Sequence, residues 1–259
     1  MKAAEMFNLS GRVALVTGAS SGLGQQFARA LADNGASVAL VARRADRLMA
    51  LKAELEKAGA KAVAIEADVN SRDDMARAFN EAEKAFGTVT ILVNNAGVAQ
   101  KPVRAVEVTA EEWRRVLSTD VDAVFYWAQE AANRMLAAKT PGAIVNIASV
   151  LGFGVAKGTA AYAVAKAAVV QVTKALSVEL AFKGVRVNAI APGWFVTEIN
   201  DEYLNSEAGI AMKRDIPMGR FGKSGDLDGA LLLLVSDAGG YMTGATIVVD
   251  GGQVVQIKG

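Results

Sequence analysis

The sequence contains no cysteine and no histidine in 259 residues. No disulfide, thiolate nucleophile, Cys/His zinc site or imidazole base can be built from it. Catalysis, if there is any, must come from Tyr, Lys, Ser, Asp and Glu together with a cofactor. No apolar run reaches the roughly eighteen residues of a membrane span, because Lys166 and Asp237 interrupt the richest stretches. Residues 1–12 lack an apolar signal core, so a cytoplasmic protein with no membrane partner is expected. Neither charge sign is in excess: 28 Lys and Arg face 27 acids, for a net charge of +1. There is no basic block and no aromatic–basic interleaving, which argues against a nucleic-acid partner.

What is abundant is apolar surface. Hydrophobic residues make up 52% of the chain, and the mean hydropathy is +0.25. Such a chain suggests a parallel sheet buried on both faces, with further burial between subunits. The length supports a large core, and no repeat, low-complexity tract or linker divides it, so residues 1–259 are expected to form one domain.

Residues 143–147 read as a buried strand and 159–182 as a long Ala-rich helix. Tyr162 and Lys166 then lie one turn apart on a common face, with Ser149 at the neighbouring strand end. A phenol is a poor acid or base at neutral pH, but an ammonium one turn away favours the phenolate. A serine hydroxyl beside it can bond the same substrate oxygen. This trio suits proton exchange at a carbonyl or alcohol oxygen while a cofactor moves a hydride. Tyr-x-x-x-Lys is also a common helix pairing, so the rest of the chain has to decide.

Residues 13–17 form an apolar strand that runs into Gly18-Ala19-Ser20-Ser21-Gly22-Leu23-Gly24 and then a helix with Leu23, Phe27 and Leu31 on one stripe. Strand, glycine turn and helix start make a phosphate cradle. The same turn fits the Gly-x-Ser-x-Gly elbow of serine hydrolases, but Ser20 would need a base that a histidine-free chain does not supply. After the second strand, 37–42, no acid follows to hold a ribose 2′-hydroxyl. Arg43 and Arg44 stand there instead, and Arg43 is read as the contact for a 2′-phosphate, favouring NADP(H) over NAD(H). Strands at 61–67 and 90–94 continue the rhythm of a doubly wound parallel sheet, with Ser71 capping a helix to Phe86. Thr109 and Glu112 form a capping box that opens a helix expected to run to about Lys139, with Asp120 among apolar neighbours. Strands at 186–191 and 246–249 and a helix at 227–235 follow. The weakly periodic stretch 194–224 reads as a substrate lid.

Taken together, Thr17 to Gly24, Asn94-Asn95-Ala96-Gly97, Ser149, Tyr162-Ala-Val-Ala-Lys166 and Pro192-Gly193 resemble the short-chain dehydrogenase/reductase family, in order and over essentially the whole chain. The resemblance implies a seven-stranded Rossmann sheet with helices on both faces and a homotetramer or homodimer. It implies Tyr162 as acid or base, Lys166 as its partner and ribose anchor, and Ser149 as the group orienting the carbonyl. It further implies that Gly18, Ser20, Ser21, Gly22, Leu23 and Gly24 line the phosphates and that Asp68 and Val69 meet the adenine. Asn95, Ala96 and Gly97 would flank the central ribose, and Pro192, Gly193 and Thr197 the carboxamide. One position departs from the pattern: Asp120 stands where the family usually has an asparagine that helps hold a relay water. An aspartate there still accepts hydrogen bonds, so the relay can survive, or its carboxylate can pair with Lys166 and weaken its effect on Tyr162; slower but real turnover is expected.

The expected activity is interconversion of a ketone and a secondary alcohol. Val98, Leu151, Phe153, Trp194 and Phe195 are candidate walls of an apolar substrate pocket. Two alternatives stay open: a reductase of 3-oxoacyl thioesters, against which Val178 stands where an arginine is common, and a nucleotide sensor without turnover.

Overall fold

The computed structural model describes residues 2–196, 204 and 206–256. Seven strands are built from the short β-branched runs: β1 Val13–Thr17, β2 Ser37–Ala42, β3 Ala62–Glu66, β4 Ile91–Asn94, β5 Gly142–Ile147, β6 Val185–Pro192 and β7 Thr246–Val249. They form one sheet in the order β3-β2-β1-β4-β5-β6-β7, and every neighbouring pair is parallel. Parallel strands need crossovers, which helices supply. These are α2 Gly22–Asp33, α3 Ala45–Lys57, α4 Arg72–Phe86, α5 Ala110–Leu117, α6 Ala123–Ala137, α7 Ala160–Leu180, α8 Glu207–Arg214 and α9 Asp228–Val235, preceded by the short α1 Ala3–Met6.

The period of two along each strand sends alternate residues to opposite layers. Ala14 and Val16 of β1 join Phe27, Leu31, Leu48, Leu51, Leu231 and Leu234 of α2, α3 and α9 in one core. Val13 and Leu15 join Met75, Phe79, Trp127, Ala131 and Met135 of α4 and α6 in the other. Burial of each such large side chain contributes about 2 kcal/mol, so both layers are strongly specified.

Strand order reverses between β1, which continues toward β2, and β4, which continues toward β5. The loops leaving Thr17 and Asn94 therefore diverge and open a crevice at the carboxyl edge, the place where this architecture binds ligands. A chain of buried amides and hydroxyls crosses the layers behind it. Asn94 Nδ2 donates to Asn146 Oδ1 at 2.9 Å and to Val124 O at 3.0 Å, and Asn146 Nδ2 donates to Thr173 Oγ1 at 3.0 Å.

Two expected elements differ. The helix from Thr109 is not continuous: residues Ser118–Asp122 form a π-helical turn between α5 and α6. The capping box is half made, for Thr109 Oγ1 accepts from Glu112 N at 3.1 Å while the Glu112 carboxylate pairs with Arg115. Ser71 does cap α4, accepting from Asp74 N at 3.1 Å. Of the stretch read as a lid, residues 197–203 and 205 lie outside the described part, and the remainder contains α8 and a parallel bridge between Phe195 and Gly222.

Candidate active site

The first wall of the crevice is the glycine turn, and the β4 loop clamps it. Thr17 Oγ1 accepts from the backbone N–H of Asn95 (3.0 Å) and of Ala96 (3.1 Å). The Asn95 amide donates to Thr17 O at 3.0 Å and Gly18 O at 3.4 Å. A Cβ on Gly18 would lie 2.8 Å from the Asn95 amide, and one on Gly24 only 2.3 Å from Gly18 O. Gly18 also has a φ of 68°, in the left-handed region that favours glycine. The α2 amino terminus carries no side-chain cap, so its N–H groups remain available to an anion. Backbone amides, a helix dipole and glycines that admit close approach fit a pyrophosphate, and Ser20, Ser21, Gly22, Leu23 and Gly24 form the turn that would line it.

The charged side chain at this turn is Arg44. Its guanidinium donates to Ser20 Oγ at 3.0 Å and to Ser21 Oγ at 2.7 Å. Arg43 is exposed and has no hydrogen-bond partner among the described residues. The second loop, at the end of β3, is also pinned. Asp68 Oδ1 accepts from Asn70 N at 3.0 Å, and Val69 O accepts from the Trp127 indole at 3.0 Å.

Beyond the crevice lies the buried polar cluster. Lys166, on α7, is 5% exposed at its side chain, and its Nζ lies 3.2 Å from Asp120 Oδ2, whose side chain is fully buried. The ammonium also donates to Ile147 O at 3.1 Å and sits 5.4 Å from the centroid of the Tyr162 ring. Asp120 occupies the π-turn, where the widened backbone aims its carboxylate inward. Its Oδ1 accepts from Val98 N at 2.8 Å, and its Oδ2 has no aligned hydrogen bond beyond the ion pair. Burial alone would lower the Lys166 pKa, but the charges of Asp120 and Tyr162 outweigh it and hold the ammonium above its ordinary value.

Ser149 is buried at the end of β5, and its Oγ accepts from Leu151 N at 3.1 Å. The turn Val150–Gly152 that follows packs on α7, since a Cβ on Gly152 would lie 2.8 Å from Lys166 O. Strand end, π-turn and helix thus bring Ser149, Asp120, Tyr162 and Lys166 to one edge of the sheet.

The remaining candidates divide. Pro192 ends β6, and Gly193 is pressed against Asp250, its N–H donating to Val249 O at 2.9 Å. Thr197 lies outside the described residues. Val98 packs in a cluster with Val116, Ala161 and Tyr162. Leu151 is half-buried and Phe153 exposed. Trp194 opens on a cavity of about 250 Å³ with Met218, Val249 and Asp250. Phe195 lines the same cavity, yet it is 5% exposed and belongs to the α2/α9 core. Its ring meets Gly222, where a Cβ would lie 2.5 Å away, so packing holds it.

Sequence reasoning passed over Gln100, whose Oε1 accepts from Ala161 N (2.8 Å) and Tyr162 N (3.2 Å). No local signal marks a pairing across about sixty residues. It also passed over Arg44's part at the turn, because two adjacent arginines differ in direction only once the strand end is built.

A profile described as enoyl-(acyl carrier protein) reductase matches residues 18–253. The chain is 41% identical over 253 residues to galactitol 2-dehydrogenase (L-tagatose-forming) of Cereibacter sphaeroides, covering 96% of this chain and 98% of that one. It is 38% identical over 240 residues to the 3-oxoacyl-(acyl-carrier-protein) reductase FabG of Staphylococcus aureus, covering 92% and 96%. A crystal structure of a gluconate 5-dehydrogenase from Burkholderia cenocepacia in complex with NADP and tartrate superimposes with a TM-score of 0.93 at 33% identity, covering 99% of this chain and all of that one.

Proposed function

Since this chain belongs to the short-chain dehydrogenase/reductase family, whose oxidoreductases act on CH–OH and C=O groups, we propose that it interconverts a ketone and a secondary alcohol with NADP(H). The observation that carries this reading is the buried Lys166 ammonium, held beside the Tyr162 ring with Ser149 on the adjoining strand end.

When bound, the nicotinamide supplies the hydride chemistry that no side chain here performs. The chain's own residues do the rest. Gly18 to Gly24 and the α2 amino terminus bind the pyrophosphate. The Ser149 hydroxyl orients the carbonyl oxygen, and the Tyr162 phenol donates a proton to it in reduction or accepts one in oxidation. Lys166 stabilises the phenolate left behind. Asn95 acts by holding the glycine turn, while Ala96 and Gly97 offer backbone to the ribose side.

Preference for NADP(H) is supported by Arg44 bridging Ser20 and Ser21, a cation and two hydroxyls gathered at the end of β2. Arg44 replaces Arg43 as the proposed 2′-phosphate contact. Val98, Leu151, Phe153 and Trp194 are the proposed substrate-facing set, with Phe195 assigned chiefly to the core although it also lines the Trp194 cavity. Reduction of acyl thioesters on an acidic carrier is less favoured: Val178 is 81% exposed on α7 and offers no charge to such a carrier.

The test follows nicotinamide absorbance with NADPH and then NADH against a panel of apolar ketones, keto-sugars and a 3-oxoacyl thioester. Turnover with NADPH is expected, and Tyr162→Phe should lower kcat by about a thousandfold or more. Full activity in Tyr162→Phe would overturn the assignment, and absence of turnover with either dinucleotide would favour a sensor.

A further inference from the structure

α7 carries Tyr162 in its first turn, yet that turn has no local cap. Its N-cap residue, Thr159, makes no capping bond; its hydroxyl is turned to donate to Ala156 O at 2.8 Å. The first N–H groups of a helix have no partner within it, and a side-chain acceptor normally takes those at the second and third positions. Here those positions are Ala161 and Tyr162, and Gln100 Oε1 accepts from both, at 2.8 and 3.2 Å. Gln100 is 7% exposed. With two backbone donors facing one amide oxygen, the amide has a single orientation, and it leaves Nε2 buried without a partner among the described residues. An orphaned buried donor is unfavourable. The cap must outweigh it.

Gln100 sits on a segment whose other residues also hold catalytic elements. Gly97 lies against the ion pair, a Cβ there falling 3.4 Å from Asp120 and 3.5 Å from Lys166 Nζ. Val98 N donates to Asp120 Oδ1 at 2.8 Å. Ala99 O accepts from Arg115 at 2.8 Å. Val103 N donates to Gly158 O, just before α7, at 3.4 Å. The chain leaving the dinucleotide crevice is thus tied in succession to the π-turn, to α5 and to the start of α7.

We propose that Gln100 is a positioning residue for Tyr162: its amide oxygen caps the catalytic helix from outside and fixes the tyrosine's turn to the loop that leaves the crevice at Gly97. The proposal rests on the proton-transfer role of Tyr162. Displacing a reacting group by about 1 Å can lower the rate about a hundredfold, so the cap acts on the chemical step and leaves dinucleotide affinity alone.

The test compares Gln100→Leu, which keeps bulk and loses the acceptor, with Gln100→Glu, which keeps the acceptor and removes the orphaned donor. Hydrogen exchange in the cofactor-free protein reads the cap directly. The amides of Ala161 and Tyr162 should exchange about fivefold faster in Gln100→Leu and at the wild-type rate or slower in Gln100→Glu. Steady-state kinetics should give Gln100→Leu a kcat about tenfold lower or more, with NADPH affinity by fluorescence titration changed less than about twofold. Gln100→Glu should recover most of kcat, but with its pH–rate profile for alcohol oxidation moved to higher pH, because a carboxylate near the phenol disfavours its anion. Should Gln100→Leu not fold, Gln100→Asn, one methylene short, makes the same comparison. Unchanged exchange in the variant without the acceptor, or a kcat loss that Glu does not recover, overturns the proposal. Tyr162→Phe run alongside separates the failures: if it stays active, the role of Tyr162 is wrong, while the exchange data still judge the cap.

Discussion

A carboxylate in direct contact with the buried Lys166 ammonium changes what each residue of the cluster is asked to do. Lys166 is surrounded by its counter-charge Asp120, the Ile147 carbonyl and the Tyr162 ring, with Arg115 of α5 also interacting electrostatically with Asp120. Burial would lower the Lys166 pKa, and the Asp120 and Tyr162 charges raise it above its ordinary 10.5. A folded-state value above the unfolded one means that the stability from this charge is complete below the unfolded pKa and disappears as pH rises through the folded value. Asp120→Asn removes the principal source of that rise. It should destabilise the protein by about 3 kcal/mol between pH 7 and 9, a deficit that narrows above about pH 10.5, measured by guanidinium unfolding at each pH. The same change leaves the ammonium facing Tyr162 without a competing carboxylate, so turnover should rise and the pH–rate curve for alcohol oxidation should move to lower pH. Superimposable pH–rate curves would remove the competition from the mechanism. That Tyr162 and Lys166 share one face was legible from spacing, because a helix places i and i+4 together, and the end of the neighbouring strand pointed to Ser149. The Asp120–Lys166 contact was expected from a departure at one position, and the π-turn that brings it to 3.2 Å was not.

At the level of elements, the glycine turn and the end of β2 show how a short motif acquires its chemistry. Gly24 lies against Gly18 O and the Asn95 amide, so Gly24→Ala has to push the turn off the β4 loop. It should lower the melting temperature by several degrees, corresponding to about 1–3 kcal/mol, and weaken NADPH and NADH alike. Arg44→Ala should instead weaken NADPH about tenfold or more, with NADH affected little. Arg43→Ala should be nearly silent. Dinucleotide titrations of the three variants check this, and a loss of NADPH affinity in Arg43→Ala with Arg44→Ala silent would return the assignment to Arg43. Strand and helix boundaries were readable to within a residue or two at most elements because period-two and period-3.6 burial patterns leave strong traces. The π-turn left none, since inserting one residue into a helix shifts its face without altering composition.

For the molecule as a whole, the two helical layers are joined to the sheet by apolar packing and by the Asn94–Asn146–Thr173 chain behind the crevice. Asn146→Leu would leave a donor on Asn94 and the Thr173 hydroxyl short of a partner. It should destabilise by about 2–3 kcal/mol, read as a lower guanidinium midpoint at unchanged slope. Phe195→Ala should cost about 3–5 kcal/mol by opening a cavity in the α2/α9 core, while the KM for the carbonyl substrate changes little. A large KM increase without loss of stability would restore Phe195 to the substrate pocket. The sequence showed Phe195 as one apolar residue beside Trp194 in a weakly periodic stretch. Its bridge to Gly222, which buries it, joins residues 27 positions apart in the chain.

The amino-acid sequence by itself determined the repertoire and the architecture. The absence of Cys and His left phenol, amine, hydroxyl and carboxylate as the reactive groups, and the apolar strands with amphipathic crossovers required a parallel sheet between helices. Both follow from local chemistry and short-range periodicity. Which arginine reaches the turn, how closely Asp120 approaches Lys166 and which amide caps α7 were decided only by the tertiary structure. Each is a contact between groups far apart in the chain, set by the twist and register of the sheet that brings them together.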